Sequence, residues 1–238
     1  SWFEGMPADR YISQHIVCGL LQLKHLKILE ESESRKLDIM IRLALKYLDK
    51  EMASDYQRLI AQKTDLEKYI PSSIQLQYLY MRSFSSVRNE ANVSEKEAKY
   101  FLSQSGKFWL KYNEYLQAMN AIMQFRYGNS VVSTDILNSL KDNAIHSDEL
   151  GMYWKNVRGG YSWTESAIET QSLLIEAFSE ISNDRSSVED MKIWLLRQKQ
   201  TQNWKSTKAT VAACYALLLR GSDWLGQDNV VQITLGDK

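Results

Sequence analysis

One stretch near the C-terminus, Met191 to Leu219, constrains the fold most, because its pattern predicts two helices joined by a short polar turn. Apolar residues recur there every three to four positions, which is typical of amphipathic helices. They are Val188, Met191, Trp194 and Leu195 in the first helix and Thr207, Val211, Cys214, Tyr215 and Leu218 in the second. Ser206 is placed to cap the second helix, and Gly221 to end it. Alanines fill much of its remaining surface, so we expect this helix to be buried on more than one side.

Composition favours a helical protein and does not indicate a highly charged binding partner. The 238 residues suffice for one large domain or two small ones, and only 10 are glycine and 2 are proline, which favours long helices. The 29 basic and 29 acidic residues balance, so no cationic excess indicates binding to nucleic acid. No apolar run is long enough to span a bilayer, and we expect no direct membrane insertion.

The first third of the chain predicts three helices. Asp9 is placed to cap a helix that runs to about Leu26, with a buried face formed by Ile12, Ile16, Leu20 and Leu23. Glu30 to Ser34 predicts a polar break. The next helix starts at Leu37, buries Met40, Ala44, Tyr47 and Leu48, and continues as a solvated extension until Pro71 ends it. Ile74 to Phe84 predicts the third helix.

Further helices are predicted up to the C-terminal pair. Ser94 and Glu97 have capping-box spacing, and Gly106 is expected to separate that helix from a longer one, Lys107 to Tyr127, which Gly128-Asn129 ends. Two more helices are predicted from Ser133 to about His146 and from Thr164 to Ile181. Asn229 to Leu235 alternates and is β-branched, which predicts a strand. Nine or ten helices joined by short loops indicate antiparallel hairpins, arranged as a solenoid or a closed ring.

Several short motifs of this chain, taken in sequence order, resemble motifs of one known family. They are Trp2-Phe3-Glu4-Gly5-Met6 with Tyr11-Ile12-Ser13, then Ile168-Glu169-Thr170, and finally Trp194-Leu195, Gln198, Trp204, Ser206-Thr207 and Thr210 before an alanine- and leucine-rich helix. Together they are similar to the thioester-containing helical domain of alpha-2-macroglobulin and complement proteins, in particular its bacterial members.

The resemblance implies an all-α fold, the α/α toroid that thioester domains share with terpenoid cyclases and prenyltransferases. Residues 1–227 would form this toroid without its first helices, and 228–238 would form a short C-terminal β-strand leading into a removed β domain. The implied function is protease trapping (endopeptidase inhibition) in the periplasm or at the cell surface. The implied partners are neighbouring β-sandwich domains of the same parent chain and, through the parent protein, target proteases.

The resemblance does not extend to chemistry within this chain. The reactive Cys-Gly-Glu-Gln motif of the family is absent, since Cys18-Gly19 is followed by two leucines. We therefore expect no catalytic residue, no cofactor and no metal site, and we expect that the chain is not an enzyme. Cys18 and Cys214 are interpreted as buried free thiols. The three histidines, His15, His25 and His146, are interpreted as structural, because no metal-binding motif accompanies them.

Carboxylates leave an alternative open. Glu30, Glu31 and Glu33, and likewise Asp148 and Glu149, are interpreted as solvated charge, and the acidic motifs DDxxD and DxDD of toroid enzymes are absent. The alternatives are a toroid enzyme acting on an isoprenoid or a sugar in a central cavity, and a helical-repeat scaffold. Two or more carboxylates in a deep pocket would favour the enzyme, whereas a centre filled with Trp, Tyr and Leu would favour the trap domain.

The aromatic segment from Gly151 to Trp163 is the candidate interaction or cavity-lining site. Its apolar and aromatic residues interrupt an otherwise helical pattern: Met152, Tyr153, Trp154, Tyr161 and Trp163. They could line a cavity or form a binding surface. The interpretation we favour is that these rings plug one end of the ring of helices and anchor a long connection, with Gly159-Gly160 in a tight turn.

Overall fold

The computed structural model describes residues 8–84, 95–155, 166–182, 184–202 and 204–219. Within these ranges the protein is mostly helical, with nine α-helices and one small two-stranded sheet, which confirms the all-α prediction. The helices are α1 (Arg10–His25), α2 (Glu31–Ala61), α3 (Ser73–Arg82), α4 (Glu95–Lys107), α5 (Glu114–Arg126), α6 (Ser130–Asp142), α7 (Ala167–Ile181), α8 (Arg185–Gln202) and α9 (Thr207–Leu218). The strands β1 (Ile145–Ser147) and β2 (Gly151–Tyr153) lie between α6 and α7.

Several helix ends lie where the sequence predicts them, because local hydrogen bonds determine them. The Asp9 carboxylate accepts from the Ile12 amide at 2.8 Å, and the Ser206 hydroxyl accepts from the Ala209 amide at 3.0 Å. Each side chain satisfies an amide that has no partner in the first helical turn. Gly128 follows α5 with φ of +89°, the left-handed conformation that favours glycine after a helix.

The helices form two series that follow chain order. In the first series α1 contacts α3, α3 contacts α5, α5 contacts α7, and α7 contacts α9. The even-numbered helices pack against this series, since α2, α4 and α6 each contact the two odd-numbered helices next to them in sequence, and α8 contacts α7. Neighbours in space are thus neighbours in the chain, as expected for consecutive antiparallel hairpins joined by short connections.

The inner helices are α5 and α7, rather than α9. Residues 118–124 of α5 and 169–179 of α7 are buried without interruption. By contrast, α9 packs its alanine-rich side and Tyr215 inward, while Val211 and Leu218 are exposed and so is Cys214. The prediction that α9 is buried on several sides is therefore wrong for the described part of the chain. The alanines of α9 do allow close packing, but they lie on a single face of the helix, and this face packs against α7.

The buried face of α1 also differs from the prediction. Gln14, Val17, Cys18 and Leu21 are buried, whereas Ile16 and Leu23 are exposed. Gln14 enters the core because its amide donates to the carbonyl of Ile74 and to Gln77, each at 3.0 Å. A satisfied glutamine can replace an apolar side chain in a core, so apolar periodicity alone assigns the wrong face.

Helix α2 begins and ends earlier than predicted. The predicted polar break belongs to the helix, because the Glu33 carboxylate accepts from the Glu30 amide and caps its start. The helix ends at Ala61, and Lys63 lies in the left-handed region with φ of +51°. Met52, Tyr56 and Leu59 are buried, so the first part of the predicted solvated extension packs into the core. Residues 60–70 contain no buried residue, as predicted for a solvated segment, while Met40 is exposed.

Gly106 does not separate two helices. Helix α4 continues through it to Lys107, and the break follows, with a short 3-10 helix at Trp109–Lys111 before α5 starts at Glu114. A side chain at residue 106 would bring its Cβ within 3.0 Å of the Gln124 amide nitrogen. The glycine is thus explained by the close approach of α4 and α5.

The segment after α6 forms a small hairpin. Helix α6 ends at Asp142 rather than near His146, which pairs with Met152 across the antiparallel strands β1 and β2. Strand β2 packs on α8. The predicted strand from Asn229 to Leu235 and the residues Trp2 to Met6 lie outside the described residues. No described helix is both long and apolar enough to cross a membrane.

We expect Asp184→Ala to lower the free energy of unfolding by about 1 kcal/mol, measured by urea denaturation at pH 7. Asp184 caps α8, because its carboxylate accepts from the amide and hydroxyl of Ser187 at 3.1 and 2.7 Å. The hydrogen bond from Lys141, together with those from Ser187, lowers the pKa of Asp184 to about 2.

This lowered pKa gives the effect of Asp184 a definite pH dependence. A carboxyl group with a lowered folded-state pKa stabilises the protein above its unfolded value, near 4, and this contribution is lost as pH falls toward about 2. The difference between the wild type and Asp184→Ala should therefore shrink on acidification. Asp135→Ala, at an exposed position on α6, is the control and should change stability by less than about 0.5 kcal/mol. A loss from Asp184→Ala that does not vary with pH would contradict this account.

Candidate functional site

A cavity of about 100 Å³ is lined by all five odd-numbered helices. Its lining combines apolar side chains with tyrosines and charged groups. By helix, it includes His15, Cys18, Gly19 and Gln22 of α1, Gln77 and Tyr80 of α3, Tyr115 and Met119 of α5, Glu169, Ser172, Leu173 and Glu176 of α7, and Lys208, Val211, Ala212 and Tyr215 of α9. The first and last described helices of the series thus contribute to one site.

Glu176 is at the centre of a buried polar network beside this cavity. Its carboxylate accepts from the Arg126 guanidinium at 2.7 Å and from the Tyr80 hydroxyl at 2.6 Å, and Tyr215 donates to it at 3.4 Å. Arg126 also donates to Glu180, at 3.0 and 3.1 Å. These contacts join α3, α5, α7 and α9, so one hydrogen-bonded network around an ion pair links four of the five helices that line the cavity.

Burial dominates the electrostatics of this network. Burial raises the pKa of Glu176, and Arg126 and the Tyr80 hydroxyl oppose that rise. It also raises the pKa of Tyr80 and of Tyr215, with the nearby Glu176 adding to the effect. Both tyrosines therefore stay protonated and donate to the carboxylate. With both its oxygens accepting hydrogen bonds, Glu176 is suited to hold helices together rather than to transfer a proton.

A second charged pair lies on the α1–α9 side of the cavity. The Lys208 ammonium is 3.9 Å from the Glu169 carboxylate. Burial lowers the pKa of Lys208, and Glu169 opposes this. Burial and the charge of Lys208 lower the pKa of His15, which stacks on Tyr11 with ring centroids 6.2 Å apart. His15 and Lys208 belong to α1 and α9, so these two helices interact electrostatically across the cavity.

The two cysteines differ in their surroundings. Cys18 is buried among the cavity-lining residues, and burial raises the pKa of its thiol to about 12. This confirms the interpretation of Cys18 as a buried free thiol, and a raised pKa disfavours the reactive thiolate. Cys214 is exposed on α9, so the same prediction is wrong for that residue.

Part of the aromatic segment that the sequence singles out is packed outside the cavity. Met152 and Trp154 are buried, and the Trp154 indole donates to the Leu140 carbonyl at 2.8 Å. Tyr153 stacks on Trp194 of α8, with ring centroids 6.3 Å apart. These three residues attach the hairpin to α6 and α8, whereas Tyr161, Trp163 and Gly159-Gly160 lie outside the described residues. An interaction surface in this segment stays a prediction.

The remaining titratable candidates do not converge. His25 packs edge-on against Phe84, with ring centroids 5.8 Å apart, and His146 is exposed on β1. The two acidic clusters are exposed as predicted: Glu30, Glu31, Glu33, Asp148 and Glu149. Among the residues that the structure describes, no three His, Cys, Asp or Glu side chains are grouped so that they could hold a metal ion.

Sequence reasoning missed the Arg126–Glu176 pair, although the sequence contains a signal for it. Glu176 stands within Leu173-Leu174-Ile175-Glu176-Ala177-Phe178, an otherwise apolar run. A charged residue there must be paired if the run is buried. The partner cannot be read from the sequence, because Arg126 lies on another helix, 50 residues away. Comparisons with protein-family models and with curated proteins find no match to this chain.

Proposed function

We propose that this chain is the helical domain of a bacterial alpha-2-macroglobulin-like protein, folded as an α/α toroid that contributes to protease trapping. In this role the domain has no catalytic residue of its own and uses no cofactor. It packs against neighbouring β-sandwich domains of the same parent chain and moves with them when a protease cleaves the parent protein. Its place of action is the periplasm or the cell surface. The sequence motifs described above support the family, and the helix arrangement supports the toroid.

The observation that carries the proposal is that α1, α3, α5, α7 and α9 line one cavity in chain order. A ring of hairpins brings its first and last inner helices to a common centre, whereas an open superhelix separates them. Lys208 of α9 and His15 of α1 both line this cavity, which supports a ring over an extended spiral.

The contents of the cavity favour a mechanical role over catalysis. Its volume of about 100 Å³ is well below the roughly 300–1,000 Å³ of ordinary ligand pockets. Three of the residues that line the cavity are tyrosines: Tyr80, Tyr115 and Tyr215. A centre with so little free volume suits a domain that moves as a unit and transmits force to its neighbours.

Exposure of the parent protein to proteases tests the proposed role. The complete polypeptide is incubated with trypsin or elastase, then analysed by native electrophoresis and assayed with two substrates. We expect one cleavage outside residues 8–219, a faster-migrating species, and retained protease that hydrolyses a small chromogenic peptide but not casein. Two results would contradict the proposal: progressive digestion without retention of the protease, or equal inhibition of the hydrolysis of the peptide and of casein.

A second candidate is a toroid enzyme that acts on an isoprenoid or a sugar, because two carboxylates, Glu169 and Glu176, line the cavity. Both lie near cations, since Arg126 binds Glu176 and Lys208 approaches Glu169. A thermal-shift assay with farnesyl diphosphate and with cellobiose tests this candidate. A stabilisation of the wild type that Glu169→Gln abolishes would favour the enzyme, and no shift with either compound would count against it.

A further inference from the structure

The outer face of α2 carries large apolar side chains that are exposed in the described part of the chain. Ile39, Met40 and Leu43 are 59%, 54% and 68% exposed. At 100° per residue, Ile39 and Leu43 lie opposite Ile41 and Leu48, which are buried in the core. The outer face of a solvated helix is normally polar. Neighbouring apolar side chains that are exposed together, with charged residues around them, are typical of an interaction surface.

These apolar residues belong to a regular strip that also contains lysines. Lys36, Ile39, Leu43, Lys46 and Lys50 follow one another at alternating spacings of three and four residues, and all of them are exposed. The spacing places their side chains along one line of the helix, over about 21 Å. It is also the spacing of the residues through which two helices of a coiled coil contact each other. We call these residues the α2 strip.

Helix α1 runs beside the α2 strip without covering it. Lys24 of α1 pairs with Asp38, and Arg10 of α1 pairs with Asp55 at 2.7 Å. These two contacts place α1 alongside α2 over nearly the whole length of the strip. Both aspartates lie more than about 100° around α2 from the middle of the strip. Helix α1 therefore packs on another side of α2, and the strip faces away from it.

The α2 strip carries three positive charges and no negative one. The two acidic residues in this part of α2, Asp38 and Asp49, contact Lys24 of α1 and Tyr78 of α3 instead. Pairing of two copies of the chain through their strips would bring lysines opposite lysines, and like charges repel. The strip is therefore complementary to an acidic partner rather than to a second copy of itself.

The order of charged and apolar residues along the strip favours a protein partner over a membrane surface. Helices that lie on a membrane keep their cations on the polar side, away from the apolar side that enters the lipid. On α2, Lys46 and Lys50 lie within about 60° of Leu43 around the helix, so a lipid surface that covers Leu43 would cover them as well. A partner that carries carboxylates between its own apolar side chains fits this arrangement better.

We propose that the α2 strip binds an acidic amphipathic α-helix of a partner protein. The apolar residues of that helix pack on Ile39 and Leu43, and its carboxylates pair with Lys36, Lys46 and Lys50. The alternating spacing supports a helix as the occupant, because two helices packed side by side meet at positions three and four residues apart. Charged residues along such a contact determine which helices pair. The inference does not depend on protease trapping, since it rests on the exposed face of α2 alone.

Fluorescence anisotropy with a designed peptide tests the proposal. The probe is a fluorescein-labelled peptide of about three heptads, with leucine at positions a and d and glutamate at positions e and g. A matched peptide carries lysine in place of every glutamate. We expect the complete protein to bind the acidic peptide and not the basic one. Sodium chloride at about 0.5 M should weaken the binding at least about tenfold, because it screens exposed charges. Binding of neither peptide, or equal binding of both, would overturn the proposal.

Charge reversal locates the binding on α2. Combining Lys46→Glu with Lys50→Glu should raise the dissociation constant of the acidic peptide at least about tenfold and should create binding of the basic peptide. The control combines Lys63→Glu with Lys111→Glu, which makes the same change of charge at two exposed lysines outside the strip. We expect the control to bind the acidic peptide as the wild type does. An equal loss of affinity in both variants would show non-specific attraction and would overturn the proposal.

Sedimentation with lipid vesicles tests the alternative of a membrane surface. The vesicles contain phosphatidylserine and phosphatidylcholine. We expect the wild type and the variant with Lys46→Glu and Lys50→Glu to remain in the supernatant alike. Sedimentation of the wild type that this variant abolishes would assign the α2 strip to a lipid surface and would overturn the proposal.

Discussion

Arg126→Ala is expected to lower the free energy of unfolding by about 3–5 kcal/mol, because it leaves the buried Glu176 carboxylate without its cation. Arg126 donates to Glu176, Glu180 and Ser83, and its guanidinium lies 4.2 Å from the centre of the Phe84 ring. The side chains of Arg126 and Glu176 are only 9% and 2% exposed, so water cannot replace the lost contacts. Urea denaturation followed by circular dichroism measures the change.

The loss of unfolding free energy caused by Arg126→Ala should depend on pH in a defined direction. Burial already raises the pKa of Glu176, and removing Arg126 removes the charge that opposes the rise. A carboxyl group whose folded-state pKa exceeds its unfolded value destabilises the protein as pH rises through the folded value. The deficit of Arg126→Ala should therefore be smaller near pH 4 than at pH 7. A deficit that is independent of pH would contradict this mechanism.

Two further variants separate the ion pair from general damage. Combining Arg126→Met with Glu176→Leu removes both charges of the buried pair, and it should recover much of the lost stability, because the buried Glu176 carboxylate is removed together with its cation. Glu180 also loses Arg126, but its side chain is 27% exposed and water can solvate it. Arg35→Ala removes a pair whose members, Arg35 and Glu31, are 74% and 85% exposed. This exposed pair should contribute less than about 1 kcal/mol.

Gly151→Ala is expected to destabilise the protein by about 2–5 kcal/mol, measured by thermal and urea denaturation. Gly151 has φ of +77°, and a Cβ there would lie 2.1 Å from the backbone oxygen of Asp190 in α8. The left-handed backbone contributes roughly 1–2 kcal/mol, and displacing α8 contributes roughly 1–3 kcal/mol more. The hairpin can pack on α8 only because this position has no side chain.

Gly128→Ala is the matched control. Gly128 has φ of +89°, and no heavy atom lies within 4 Å of where its Cβ would be. Its substitution should cost only the backbone part, roughly 1–2 kcal/mol. The difference between the two variants then measures the steric contact with α8. Equal losses would show that the contact with Asp190 contributes nothing.

The sequence predicts those features that depend only on residues close together in the chain. The caps at Asp9 and Ser206 and the end of α5 at Gly128 each need only a few adjacent positions, and the structure confirms all three. Gly106 shows the limit of such local reasoning. It is explained by the side chain of Gln124 on another helix, which no local pattern can indicate.

The assignment of buried faces and of the charged site needs tertiary contacts. Periodicity identifies the apolar side of α1, with Ile16 and Leu23, but the core instead receives Gln14, whose partners lie on α3. The Arg126–Glu176 pair likewise joins two helices. A carboxylate inside an apolar run is visible in the sequence, while its partner and the cavity beside it depend on the packing of five helices.

The succession of helix contacts in chain order has a consequence for how this protein is made. Each odd-numbered helix packs on the next one along the chain, so most of the interface for a hairpin is available as soon as the following hairpin has been synthesised. Local topologies of this kind fold quickly, and elements nearer the N-terminus can assemble first during translation. We therefore expect compact intermediates to form on the ribosome, growing by one hairpin at a time from α1 toward α9.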